Sequence, residues 1–148
     1  MSQTVLITGA SNGIGKACAR VFARKGYDLV LVARHREKLE AVKAELSEYN
    51  VQIKVIAMDL TGEDAAVDLY NDLVLDDINI DILVNNAGLA VGTSPIQDGI
   101  LDDWERMIDT NVKGLLYITH EVAPLMIKNE KGHIVNIASV AGKEVYPG

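Results

Sequence analysis

The 148 residues, 49% hydrophobic and 24% charged, suit one domain around one core and exclude disordered, collagen-like and coiled-coil chains. The longest apolar runs, such as residues 29–33, fall far short of the ~20 residues of a membrane span. A net charge of −7, from 14 basic and 21 acidic residues, repels nucleic-acid phosphates and argues against nucleic acid as a partner. Residues 1–10 lack the basic start and apolar stretch of a signal peptide. The single cysteine, Cys18, can make no internal disulfide, which fits a reducing cytoplasm, and its helical spacing reads as a small buried residue.

In chain order, Thr4–Thr8 reads as a short strand ending in a glycine turn. Residues Gly13–Lys25 read as a helix through Ile14, Ala17, Cys18, Val21 and Phe22. Tyr27–Ala33 is a nearly continuous apolar strand, as expected where both sheet faces are covered. Arg36–Tyr49 is an amphipathic helix with Leu39, Val42 and Leu46 on its inner stripe. Gln52–Met58 is a third strand, followed by a helix over Glu63–Asp77 with Thr61 as its expected N-cap.

Asp81–Val84 is a fourth strand and residues 89–99 are loop-like. A long helix is expected from Leu101 to about Asn129, bent at Pro124 and stopped by Gly132. Trp104 is expected to anchor that helix to the core. His133–Ala138 is a fifth strand. His120 and His133 carry no partner pattern for a metal or acid–base role, and His35 reads as exposed. Strand–helix alternation predicts an α/β fold, a doubly wound parallel sheet with helices on both faces, as one domain over residues 1–148.

The loop Thr8-Gly9-Ala10-Ser11-Asn12-Gly13-Ile14-Gly15 follows a strand and opens a helix. Gly9 suits a tight turn, Gly13 lets backbone approach a pyrophosphate, and Gly15 lets helix and strand pack closely. The helix N-terminus offers free N–H groups and a positive dipole end to phosphates. Where such loops bind a dinucleotide, an acid about 20 residues on holds the ribose. Here that place carries Arg34, with Arg36 close by, which accommodates a 2′-phosphate and favours NADP(H) over NAD(H).

Three further motifs complete a pattern: Asn85-Asn86-Ala87-Gly88 after the fourth strand, Asn111 in Thr110-Asn-Val-Lys-Gly114, and Ser139 in Asn136-Ile-Ala-Ser-Val-Ala-Gly142. With the glycine loop and Asp59-Leu60 after the third strand, they resemble the short-chain dehydrogenase/reductase family along the whole chain. The resemblance implies a Rossmann-like fold and a cofactor held by Gly9, Ser11, Asn12, Gly13, Ile14 and Gly15, with Arg34 at the ribose. Asp59 is implied at the adenine amino group with Leu60 beside it, and Asn86, Ala87 and Gly88 along the adenosine side. Ser139 is implied as the catalytic hydroxyl on the substrate oxygen, and Asn111 as the residue that holds a water in the proton relay. Residues 85–90, 103–111 and 132–139 look like the branch acting on small 3-hydroxy acids, serine among them. A small alcohol or carbonyl substrate and, at full length, a homodimer or homotetramer are implied.

The family's proton donor is a tyrosine in Tyr-x-x-x-Lys, about 13 residues after the serine and hence beyond Gly148. Tyr146 lies only seven residues after Ser139 and is a poor substitute. The expectation is therefore a domain truncated after the fifth strand, lacking the later strands and substrate-binding helices, and inactive alone.

Overall fold

The computed structural model describes residues 2–144; Tyr146 lies outside them. Five strands, β1 (Thr4–Thr8), β2 (Asp28–Ala33), β3 (Ile53–Ala57), β4 (Ile82–Asn85) and β5 (His133–Asn136), form one sheet. Every pairing is parallel and the order is β3-β2-β1-β4-β5, the doubly wound Rossmann order. The expected fold class is therefore observed. The helices are α1 (Gly13–Arg24), α2 (Arg36–Glu45), α3 (Glu63–Leu75), α4 (Leu101–Ile108) and α5 (Leu115–Lys128).

Side chains alternate across a strand, so the apolar runs of β1 and β2 feed two cores at once. Leu6, Val30 and Val32 join Leu69, Leu73, Ile118 and Val122 on the face covered by α3 and α5. Val5, Ile7, Leu29 and Leu31 join Ala19, Ala23, Leu39 and Val42 on the face covered by α1 and α2. Cys18 is half-buried against this second core. At the sheet edge β5 is mostly exposed, with Ile134 among its open side chains. Among the described residues no helix is long and apolar enough to cross a membrane.

Four local expectations need correction. Thr61 does not cap α3: Gly62 holds that position, and the Thr61 hydroxyl donates instead to Asp59 Oδ1 at 2.9 Å. The long helix departs from α geometry not at Pro124, which sits inside α5, but at a π-helical turn over Asp109–Gly114. Its stop is Glu130, left-handed at φ 52°, not Gly132. Glu130 N–H donates to Ile127 O and Lys131 N–H to Met126 O, the paired bonds of a Schellman end. Trp104 belongs to neither core.

Candidate functional site

In doubly wound sheets ligands bind beyond the carboxyl ends of the strands, where the strand order reverses. Here β2 and β4 leave β1 in opposite directions, and a cleft of about 1080 Å³ opens at that end of the sheet. The loop after β1 contributes Gly9, Asn12, Gly13 and Ile14 to its wall. The end of β4 contributes Asn86, Ala87 and Gly88, and the far side contributes Asn111 and Ser139. Nine of the fourteen residues singled out from sequence thus share one cleft.

Hydrogen bonds made by the Thr8 hydroxyl and the Asn86 amide fasten the loop to β4. Thr8 is 2% exposed, and its hydroxyl accepts the Asn86 and Ala87 N–H groups, each at 3.0 Å. It donates to Val84 O at 3.4 Å. Asn86 Nδ2 returns bonds to Thr8 O at 3.0 Å and Gly9 O at 3.2 Å. Gly15 is buried behind the loop. A Cβ there would collide with the Gly9 carbonyl oxygen and lie 2.5 Å from Asn86 Nδ2, so only glycine lets α1 come this close. Gly13 is the opposite case: φ is +51°, and a Cβ would meet nothing within 4 Å. Its face is open, beside a helix N-terminus that Asn12 leaves without a side-chain cap bond. First-turn N–H groups without partners are what an anion needs.

The remaining residues stand apart. Ser11 is half-buried outside the cleft wall. Arg34 is exposed just past β2, whose Val32 O accepts the Ala10 N–H at 3.2 Å and so ties the glycine loop to that strand end. Arg36 lies 3.6 Å from Glu40. His35 is exposed beside Glu37. Asp59 Oδ1 accepts the Thr61 N–H at 3.1 Å as well as its hydroxyl. Leu60 is 8% exposed, and its side chain packs into the core with Ile118 and Leu69 instead of facing the cleft.

Asn111 and Ser139 sit differently from each other. Both ends of the Asn111 amide are engaged: Oδ1 accepts the Leu89 N–H at 2.9 Å and Nδ2 donates to Leu89 O at 2.7 Å. The π-helical turn carries this side chain to the loop after β4, and such turns recur at functional sites. Ser139 Oγ accepts the Ala141 N–H at 3.2 Å, which orients the hydroxyl and leaves its proton free to donate. Among the described residues no cluster of metal-ligating side chains occurs.

Asn85, part of the motif quoted from sequence but given no role there, is a structural tie at the cleft wall. It is 4% exposed, and its Nδ2 donates to Thr119 Oγ1 at 3.0 Å and Asn136 Oδ1 at 2.9 Å. One amide therefore joins β4, α5 and β5 beneath the site, with its Oδ1 buried and without a partner. The available signal was a polar residue ending an otherwise apolar strand twice over, at Asn85 and at Asn136.

The sequence matches the family described as short chain dehydrogenase over residues 3–148. A serine 3-dehydrogenase of Agrobacterium fabrum is 47% identical over 148 residues, covering 100% of this chain and 58% of that protein. Sulfoacetaldehyde reductase 2 of Chromohalobacter salexigens is 45% identical over 149 residues, covering 100% of this chain and 59% of that protein. The closed form of a serine dehydrogenase complexed with NADP+ superposes with a TM-score of 0.91 at 40% identity, covering 99% of this chain and 58% of that one. This chain thus spans 58–59% of the length of these two curated relatives.

Proposed function

This chain belongs to the short chain dehydrogenase family, and from that membership we propose that it forms the cofactor-binding part of a cytoplasmic NADP(H)-dependent oxidoreductase that interconverts a secondary alcohol and a carbonyl. The proposed substrate is a small 3-hydroxy acid such as serine, as the name of the Agrobacterium relative suggests.

The observation that carries the reading is the open Gly13 face beside the uncapped start of α1, held in place by Thr8 and Asn86. That arrangement fits a pyrophosphate: backbone donors, a helix dipole, and no side chain in the way. Gly9, Ser11, Asn12, Gly13, Ile14 and Gly15 would form the cradle. Asn86, Ala87 and Gly88 would line the nucleoside side, and Asp59 with the Leu60 backbone the adenine end. Arg34 supports NADP(H), because an exposed guanidinium stands where an NAD-binding site would carry an acid. The NADP+ complex of a related serine dehydrogenase points the same way.

When bound, the nicotinamide supplies or takes the hydride. The chain's own contribution is positioning and charge. Reduction of a carbonyl builds negative charge on its oxygen, and the free proton of Ser139 would donate to that atom. Asn111 would act at one remove, by pinning the Leu89 loop that walls the cleft. None of the five tyrosines is followed four residues later by a lysine, so the 148 residues hold no Tyr-x-x-x-Lys pair to move the proton. The polypeptide of these residues alone is therefore proposed to bind NADP(H) without turning over substrate. For the whole protein we propose a homodimer or homotetramer, supported by Ile108, Val112 and Leu116, more than half open or nearly so at four-residue spacing.

An NADPH fluorescence titration of the chain, paired with a cofactor-oxidation assay on a panel of small carbonyl acids, tests both halves. Saturable binding with background oxidation is expected. Absence of binding overturns the cofactor reading, and oxidation above background overturns the proposal that this polypeptide binds NADP(H) without turning over substrate.

A further inference from the structure

We propose that the Asn12-Gly13 pair of the glycine loop is a self-modification site: in the chain without a dinucleotide, Asn12 cyclises onto the Gly13 nitrogen and reopens as isoaspartate, which disables the cradle, and a bound dinucleotide suppresses the reaction. The proposal adds a regulation to the cofactor site described above and rests on that reading.

Of the nine asparagines, Asn12 alone precedes a glycine. It is exposed on the cleft wall, and its side chain makes no cap bond. Among the described residues no hydrogen bond engages the Gly13 N–H. No side chain shields that nitrogen, and a Cβ on Gly13 would meet nothing within 4 Å, so a ring has room to close there. The Lys16 N–H bond to Asn12 O, at 3.1 Å, restrains the pair. It belongs to the first turn of α1, and helix ends fray more readily than helix interiors. The chain's one Asp-Gly pair, Asp98-Gly99, is the contrast: Gly99 N–H donates to Ile96 O at 3.4 Å, and a carboxylate is the poorer electrophile.

The Gly13 nitrogen gives up its proton to water and bonds to Asn12 Cγ, the Cγ–Nδ2 bond breaks, and ammonia leaves. Water then adds to the resulting succinimide. Attack at the Asn12 backbone carbonyl carbon breaks its bond to the Gly13 nitrogen, so the chain runs on through Cβ and Cγ as isoaspartate. Attack at Cγ gives ordinary aspartate. Neither route needs an oxidant or a reductant. The isoaspartyl product sets an extra backbone methylene directly before the free N–H groups of α1, and a carboxylate beside them. Both changes act against a pyrophosphate: the donors leave their places, and the new charge has the ligand's own sign. A bound pyrophosphate acts in the opposite sense. It would engage the Gly13 N–H and its neighbours, which withdraws the nucleophile and pins the turn whose fraying the ring closure needs.

The unmodified chain would be held in mildly alkaline buffer with and without saturating NADP+, freed of cofactor and titrated with NADPH, with each asparagine read by peptide mapping. Without NADP+, isoaspartate at position 12 is expected to form at least fivefold faster than at any other asparagine. The fraction of chains that bind NADPH should fall in step with it while the fold, followed by thermal unfolding, persists. With NADP+ the reaction at position 12 should slow at least fivefold. Asn12→Ser has no amide to lose and should hold its own starting affinity through the same incubation. The inference is overturned if residue 12 reacts no faster than the other asparagines, if modified chains bind NADPH as fresh ones do, if binding is lost only through unfolding, or if NADP+ gives no protection. The comparison with and without NADP+ uses the unmodified chain and stands even if the variant misfolds. NADPH binding by the fresh chain keeps the two readings apart: its absence sinks the cofactor assignment, whereas its presence with an unreactive Asn12 sinks only this inference.

Discussion

Replacing Gly15 by alanine should damage folding and cofactor binding together. The added methyl would collide with a backbone carbonyl, that of Gly9, and press on the Asn86 amide at 2.5 Å. Backbone cannot rotate away, so α1 must withdraw from the loop. Such overpacking costs about 1–3 kcal/mol. The two Asn86 bonds to Thr8 O and Gly9 O are stretched by the same movement, at about 0.5–1.5 kcal/mol each. Alanine returns at most about 1 kcal/mol through its helix propensity. A net loss of about 3 kcal/mol corresponds to a fall in Tm of roughly 6–12 °C for a domain of this size. Gly13→Ala is the companion. Its methyl meets no atom within 4 Å, and only its left-handed backbone, about 1–2 kcal/mol, opposes it. That variant should lose no more than a few degrees yet bind NADPH at least tenfold more weakly, because its methyl stands in the cradle. Thermal unfolding and NADPH titration of both variants supply the comparison. A Gly15→Ala protein with the parent's Tm would refute the close approach of α1, and tight NADPH binding by Gly13→Ala would refute the cradle.

Thr8→Val removes the acceptor for the partly buried N–H groups of Asn86 and Ala87, at about 1–3 kcal/mol each. Urea unfolding should show a loss of about 3 kcal/mol, and Thr8→Ser should recover most of it. Asp81 joins the starts of the sheet: its carboxylate accepts the Thr4 N–H at 2.9 Å and lies 3.0 Å from Lys131. Burial pushes its pKa up, but the Thr4 N–H bond and Lys131 outweigh that and hold it below the ordinary 3.8. A depressed carboxylate stabilises the fold above its unfolded value and loses that effect as pH falls through the folded one. Asp81→Asn should therefore be less stable than the parent at pH 7, with the gap closing below about pH 4. Asn111→Ala frees both backbone groups of Leu89, so hydrogen exchange at Leu89 should accelerate markedly while core amides of β1 stay protected.

The strands were legible because β1 and β2 are buried on both faces and so appear as unbroken apolar runs. The glycine loop was legible because backbone geometry leaves no other residue at Gly15. The π-helical turn was not, since residues 109–114 keep an ordinary helical pattern. Its geometry accompanies distant contacts, the Asn111 amide on Leu89 and Gly114 against Leu60 O, where a Cβ would stand 3.0 Å away. Glu130 took the left-handed position because it stands directly after the C-cap Asn129, whereas Gly132, two residues on, packs where a Cβ would come within 2.6 Å of Met126. α3 starts at Glu63, so Gly62 stands at the cap and the Thr61 hydroxyl is left to donate to Asp59. Trp104 was read as core because large aromatics are usually buried, whereas its place on the cleft wall depends on Gly99, five residues earlier and outside its own helix. Both residues of Asn85-Asn86 reach the cleft wall, and spacing alone does not reveal that Asn85 also links β4, α5 and β5.

The central claim is that the loop from Thr8 to Gly15 and the end of β2 together hold NADP(H). Its most direct test is a pair of titrations of the unmodified chain, one with NADPH and one with NADH, repeated with Arg34→Ala. Tighter binding of NADPH, with the preference collapsing in the variant, is predicted. Equal or tighter binding of NADH by the unmodified chain, or a preference that survives Arg34→Ala, would contradict the account.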